Sequence, residues 1–273
     1  MSKPSVCLLV VDPQVDFCDK PQGQGGIASL SVAGADQDMI RLGKMIEKNG
    51  QVIDSIELTM DCHYYVHISH GCWWVDKKGD HPTPFTSISE ESVLDGTWRA
   101  YDPERQDWSV HYVKTLKANN RYQIMIWPVH CEIGTPGQCI YPPILKAIQN
   151  WEQKYFGMAV RTTKGSNIFT EHFSAVKADV EDPNDPTTRL NDRFVNTLKK
   201  YDKILISGEA LSHCVCNTVR DTAAEFSDEQ VKKFVLLEDA SSNVGGCEKL
   251  GENFVNAMVA KGMQISRTDK FFK

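Results

Sequence analysis

The sequence predicts an α/β protein, a parallel sheet covered by helices, and three observations predict it. Short apolar runs alternate with helical patterns along most of the chain, the rhythm of strand–helix–strand units. Several of those runs are apolar on both faces, as strands buried under helices on each side must be. The 273 residues, 41% hydrophobic and 24% charged, suffice for one large core and are ordinary for a soluble enzyme. No internal repeat, low-complexity tract or linker divides the chain, so one domain over residues 1–273 is expected.

Taken in order, Val6–Val11 is a continuous apolar run that stops at Asp12, which reads as a buried strand. Met39, Ile40, Leu42, Met45 and Ile46 form a helical stripe ended by Asn49-Gly50. Further strands are read at Val52–Leu58, Tyr122–Trp127, Met158–Arg161, Lys203–Ser207, Phe234–Leu237 and Met263–Ile265. A helix over Asp192–Lys200 buries Phe194, Val195 and Leu198. Another starts near Ser212, with Val215, Val219 and Ala223 on one face, and the last covers Gly251–Lys261. One stretch breaks the rhythm. An insertion at about 71–120 carries turn residues (Gly79, Pro82, Pro84, Gly96, Pro103) and several tryptophans, with little periodicity. A segment of that length reads as a lid or an interface element; an ordered decoration away from the site is the alternative.

Composition excludes several roles. The net charge is −6 and no basic block is long enough to track a phosphate backbone, which argues against nucleic acid. No apolar run approaches transmembrane length, and Met1–Val11 is too short for a secretory h-region, so no membrane partner is expected. Nine cysteines, an odd number, read as reduced thiols in a cytoplasmic protein. Cys62, Cys72, Cys131 and Cys139 show no CxxC spacing, which argues against a structural zinc site.

In an open parallel sheet, functional groups gather where strands end. Cys214 falls where a strand turns into a helix, so free backbone N–H groups there favour a thiolate and could hold an oxyanion. A buried structural cysteine is the commoner fate of this residue type. Lys164 follows a short strand and could lie beside that sulfur. Asp12 ends an apolar strand and, partly desolvated, suits a proton acceptor. Asp61-Cys62-His63 with His130 makes one carboxylate and two imidazoles, a set for Zn²⁺, Fe²⁺ or Mn²⁺, with His67 a further ligand or a supporting group. Phe17 and Trp127 adjoin these groups and could sandwich a flat ring, although aromatics near strand ends are more often core.

Several ordered segments together resemble the nicotinamidases among the isochorismatase-like cysteine hydrolases. They are Leu9-Val10-Val11-Asp12-Pro13-Gln14-Val15-Asp16-Phe17, the Gly25–Val32 stretch, the Asp61-x-His63 pair and Trp127-Pro128-Val129-His130-Cys131. Gly134-Thr135-Pro136-Gly137, Lys164-Gly165-Ser166-Asn167 with Phe173-Ser174-Ala175, then Gly208 to Val215 and Thr218 to Asp221, complete the set. The resemblance implies a three-layer α/β/α fold with a six-stranded, mainly parallel sheet. It implies Asp12 as general base, Lys164 as stabiliser and Cys214 as nucleophile. A cis Glu209–Ala210 peptide is implied too, with the N–H groups of Ala210 and Cys214 as oxyanion hole. Asp61, His63 and His130 match the family's metal set, and Phe17 and Trp127 the positions flanking a pyridine ring. The implied activity is hydrolysis of nicotinamide, a small-molecule amide, to nicotinate and ammonia, with a divalent ion (zinc first, iron or manganese otherwise). A related amidase or ureidohydrolase with a non-pyridine substrate is the alternative. A catalytically silent metal-binding protein is the reading from another class, and a homo-oligomer is left open. Cys62-His63-Tyr64 stands where the family usually has Trp-His-Pro, and Leu211-Ser212-His213 where Thr-Asp-Tyr is usual.

Overall fold

A computed structural model describes residues 3–273 and places six strands in one sheet. They are β1 (Val6–Val11), β2 (Ser55–Asp61), β3 (Val160–Lys164), β4 (Lys203–Gly208), β5 (Phe234–Leu237) and β6 (Gln264–Ser266). The order across the sheet is β6-β5-β4-β1-β2-β3, and every neighbouring pair is parallel. The chain builds from β1 outward through β2 to β3, then returns to β4 on the other flank of β1. That reversal opens a crevice beyond the carboxyl ends of β1 and β4, where open α/β sheets bind ligands.

Among the described residues six helices have eight residues or more: α1 (Ala35–Asn49), α3 (Pro142–Tyr155), α4 (Asp192–Lys199), α5 (Cys216–Ala224) and α6 (Glu248–Ala260) lie against the sheet, and α2 (Gln106–Ala118) belongs to the insertion. Alternation along β1 divides the core. Leu8 and Val10 pack with Leu42 and Ile46 of α1 and Ile144 and Ile148 of α3. Cys7, Leu9 and Val11 face the opposite layer, with Leu198 of α4, Val219 of α5 and Phe254 of α6. Both faces of β1 are therefore dry, which is why it reads as an unbroken apolar run, whereas the edge strands β3 and β6 keep exposed residues. The α1 stripe buries Met39, Leu42, Met45 and Ile46, while Ile40 stays partly exposed at its edge.

Two strand readings need correction. Tyr122–Trp127 does not join the sheet: only Ile124–Met125 is extended, and it pairs antiparallel with Ser87–Ile88 of the insertion. Its apolar residues serve a different core, in which Ile124 and Ile126 meet Trp73, Trp74, Ile88, Val93, Tyr112 and Leu116. The insertion is thus folded around its own aromatic cluster, with α2 contributing Tyr112, Val113 and Leu116 as a buried face. The second correction concerns register. β2 and β3 run about three residues past the apolar stretches, so Asp61 and Lys164 are paired neighbours in the ladder rather than loop residues. Among the described residues no helix is long and apolar enough to cross a membrane. All nine cysteines are free.

Candidate active site

The two strands that flank the crevice deliver the first two groups. Asp12 leaves β1 at φ 45°, a left-handed conformation that aspartate tolerates better than most residues. Its backbone N–H donates to the Thr59 carbonyl at 3.1 Å, and Thr59 Oγ1 donates back to Asp12 Oδ1, so the carboxylate is held from β2. Beside it, β4 ends on Gly208 at φ 116°, where any Cβ would overlap the Val11 carbonyl. Only glycine permits this approach of β4 to β1. The chain then passes through Glu209–Ala210, a cis peptide, into a π-helical turn over Leu211–Val215 that carries Cys214.

Lys164, the last residue of β3, joins the two. Its Nζ lies 2.8 Å from Asp12 Oδ2 and 3.1 Å from Asp61 Oδ1, and it donates to Cys214 Sγ at 3.7 Å. All four side chains are buried. Burial works against the Lys164 ammonium, yet Asp12 and Asp61 outweigh it and hold the lysine charged. Burial pushes the Asp12 carboxyl up, with Lys164 opposing and Asp61 reinforcing. The Cys214 thiol is also pushed well up by burial, against Lys164 and with the help of Asp12 and Asp61. Cys214 lies inside the turn that precedes α5, only 6% exposed, with carboxylates as well as an ammonium beside it. A raised carboxylate beside a raised thiol is suited to take its proton.

Asp61, His63 and His130 offer ligand atoms that all lie within 4.8 Å of one another. Two hydrogen bonds bring the histidines together across separate segments: His63 N–H donates to the Cys131 carbonyl, and Ile133 N–H to the His63 carbonyl. Each imidazole turns Nδ1 to a backbone carbonyl, Gly165 at 3.1 Å for His63 and Pro128 at 2.8 Å for His130. A carbonyl only accepts, so Nδ1 carries the proton and Nε2 keeps its lone pair, as in metal-ligating histidines. His63 Nε2 is buried without a hydrogen-bond partner and lies 3.2 Å from Asp61 Oδ2. Orphaned donor atoms facing a carboxylate fit a divalent cation. Gly165, at φ 87°, is required here because a Cβ would come within 2.7 Å of Asp61 Oδ1 and 2.9 Å of the His63 ring.

His67 is placed differently from the ligand role offered for it. Its Nε2 faces the Thr170 carbonyl at 3.2 Å, and its Nδ1 accepts from Ser69 N–H, so both nitrogens are engaged by protein. His70, which sequence reasoning missed, has the free nitrogen instead. Its Nδ1 donates to the Tyr65 carbonyl, while Nε2 is buried and unpartnered, with the ring 5.5 Å from His63 and 5.8 Å from His130. The sequence held no signal separating the two, since both lie in one short segment.

These groups border one pocket, walled by Phe17, Trp127 and Phe173. Ala210 and Cys214 lie at one side, Asp61 and His130 at another. Phe17 packs edge-on to His130 at 5.5 Å, and Trp127 edge-on to Phe173 at 6.5 Å and to His213 at 5.3 Å. His213, read only as a neighbour of the nucleophile, is a pocket wall. Burial brings its pKa down to about 4, leaving a neutral ring fixed by Ser212 Oγ at 2.9 Å from Nδ1. Glu171 also lines the pocket and was missed; a lone glutamate beside Phe173 reads as an ordinary surface charge.

No family model matches the sequence, and none of the curated proteins does either. Solved structures do. A nicotinamidase/pyrazinamidase from Acinetobacter baumanii superposes with a TM-score of 0.63 at 20% identity, covering 98% of this chain and 99% of its own. The yeast nicotinamidase bound to the inhibitor nicotinaldehyde gives 0.63 at 18% identity, over 96% and 99% of the two chains. A zinc complex of the pyrazinamidase from Pyrococcus horikoshii gives 0.54 at 18%, over 97% and 99%. An isochorismatase-like hydrolase from Alkaliphilus metalliredigens gives 0.51 at 15%, over 98% and 97%. Over nearly its whole length, then, the chain has the fold of the nicotinamidases and isochorismatase-like hydrolases.

Proposed function

We propose that the protein is a cysteine amidohydrolase that cleaves the C–N bond of a small planar carboxamide, with nicotinamide the first candidate. One observation carries this reading. A buried lysine bridges a carboxylate and a thiol, at 2.8 Å and 3.7 Å, beside an aromatic pocket and an Asp/His/His cluster. Thiol, base and fixed cation in one dry crevice make a nucleophile–base pair for acyl transfer. The nicotinamidase neighbours of the same fold favour a pyridine carboxamide.

In this reading Asp12 takes the Cys214 proton as sulfur attacks the amide carbon. The carbonyl oxygen becomes an oxyanion facing the N–H groups of Ala210 and Cys214. Asp12 returns the proton to the departing nitrogen, the C–N bond breaks, ammonia leaves and a thioester remains. Asp12, ionised again, accepts a proton from water as its oxygen adds to the thioester carbon. The C–S bond then breaks, the acid is released and the thiol is restored. Lys164 keeps its proton throughout and offsets the negative charge that passes between Asp12 and sulfur. Asp61, His63 and His130 would hold a divalent cation, whose Lewis acidity suits the lone pair of a ring nitrogen. Nine free thiols fit a reducing, cytoplasmic setting.

Ammonia release from nicotinamide by purified protein supplied with zinc tests the reading. Wild type should turn over, and Cys214→Ala should lose all activity above background. Equal release by both proteins would remove the nucleophile assignment.

A further inference from the structure

Seven buried side-chain atoms among the described residues lack a hydrogen-bond partner, and five of them gather at this site. Asp12 Oδ2 and Asp61 Oδ1 face the Lys164 ammonium, and His63 Nε2 and His70 Nε2 belong to the imidazole cluster. The fifth, Glu171 Oε2, takes no part in the proton transfers above. Native interiors rarely leave such an acceptor unmatched unless something else completes it. Glu171 is only 6% exposed and lines the same pocket as Cys214.

Its surroundings fix it there. Oε1 accepts from His172 N–H at 2.9 Å, while the Glu171 backbone N–H donates to the Tyr112 hydroxyl at 2.9 Å. The next pocket residue is Phe173, whose ring packs against Trp127 and His213. Glu171 thus lines a pocket that has flat walls and holds the nucleophile, and its Oε2 has no protein donor, unlike the Asp61 carboxylate beside it, which faces the Lys164 ammonium. Nicotinamide, apart from its carboxamide, offers that oxygen only C–H edges and a ring-nitrogen acceptor.

We propose that Glu171 is a specificity-determining residue: its free carboxylate oxygen selects a planar carboxamide whose ring also bears a hydrogen-bond donor, such as an amino or hydroxyl group. The inference rests on the pocket assigned under the proposed function and sharpens its substrate class. Nicotinamide then becomes a poorer ligand than its donor-bearing relatives. A ring carrying the donor satisfies the oxygen, and one lacking it leaves the carboxylate buried and unmatched.

Binding to zinc-loaded Cys214→Ala protein tests this without requiring turnover, so the result stands even if the amidase reading fails. Calorimetry would compare nicotinamide with its 2-, 5- and 6-amino derivatives. A hydrogen bond to a charged acceptor predicts a preference of about tenfold or more for at least one amino derivative. Adding Glu171→Met should collapse that ratio towards one, and adding Glu171→Gln, which keeps an oxygen, should retain part of it. Equal affinities for all four ligands in the Cys214→Ala protein would overturn the proposal. A ratio unaffected by Glu171→Met would overturn it as well. So would loss of zinc in the Gln variant, because Glu171 would then be serving the metal cluster. Should the Met variant fail to fold, the Gln variant and the four-ligand comparison still decide.

Discussion

At the scale of single residues, the site depends on how few groups share one buried volume. In the proposed mechanism Asp12 must be ionised to accept the Cys214 proton, and burial raises its carboxyl above the ordinary 3.8. Activity is therefore present above that raised value and lost as pH falls through it. The acid limb of kcat/KM should lie higher than an exposed aspartate would give. Asp12→Asn should lower kcat/KM by about 10²–10⁴, the usual contribution of a positioned base, and abolish that limb. A variant with an unchanged limb would assign it to another group. The ligand set makes a separate prediction. His63→Ala removes a nitrogen with no protein partner, so zinc retained after dialysis should drop from near-stoichiometric to a small fraction, read by elemental analysis. Asp12, Lys164 and Cys214 stood out in the sequence because each closes a strand or opens a helix, but only the resemblance joined them into one set. His70 and Glu171 were not. What marks them is a missing partner, a property of three-dimensional surroundings that no spacing of letters encodes.

At the scale of elements, the insertion explains why a long irregular segment persists beside the crevice. Its helix α2 supplies the Tyr112 hydroxyl that accepts the Glu171 N–H, and Trp108 Nε1 donates to the Phe169 carbonyl at 2.7 Å. Phe85 packs edge-on to Trp127 at 6.1 Å. The segment therefore buttresses both the loop that carries Glu171 and one wall of the pocket. Tyr112→Phe leaves a buried N–H without an acceptor, which should cost about 1–3 kcal/mol in a denaturant titration. A cost near zero would mean that water or another acceptor replaces the hydroxyl. The sequence hid this arrangement for a physical reason. Ile124–Met125 is apolar enough to be a sheet strand, and only the competing partner Ser87–Ile88 diverts it. In the same way, the ends of β2 and β3 were obscured because their last residues are polar and buried by one another rather than by apolar neighbours.

For the molecule as a whole, a second acidic pair tunes stability. Glu209 is fully buried beside Asp38, and burial together with that carboxylate pushes its pKa well above 4.5. Its Oε2 accepts from Ser242 N–H at 3.1 Å, while Oε1 has no donor and acquires a role only when it carries the proton. The sign follows from linkage. The folded pKa exceeds the unfolded one, so the contribution is complete below about 4.5 and is lost as pH rises towards the folded value. Glu209→Gln keeps the shape, with an amide able to donate to Asp38, and does not titrate. Its Tm should therefore gain on wild type between pH 5 and pH 8. A constant difference would show that Glu209 is ionised in the fold. The α/β class, the parallel sheet and four of its six strands within a residue of their observed bounds were visible in hydrophobic runs, while β2 and β3 were read about three residues short. Strand order was not visible, since a parallel ladder leaves no local mark of which strand lies beside which.

The order of the sheet also sets a schedule for the growing chain. β1 leaves the ribosome long before one of its two neighbours, β4, which pairs Val6 with Lys203 and Val11 with Gly208. Until that distant stretch is synthesised, one edge of an entirely apolar strand has no mate, the situation in which nascent chains depend on chaperones. Asp12 stands at the end of β1 and Cys214 just beyond β4, so the reactive pair is assembled only when the sheet is closed at its centre. A chain released before that point would hold Asp12, Lys164 and the Asp61, His63 and His130 cluster, and still lack the proposed nucleophile Cys214.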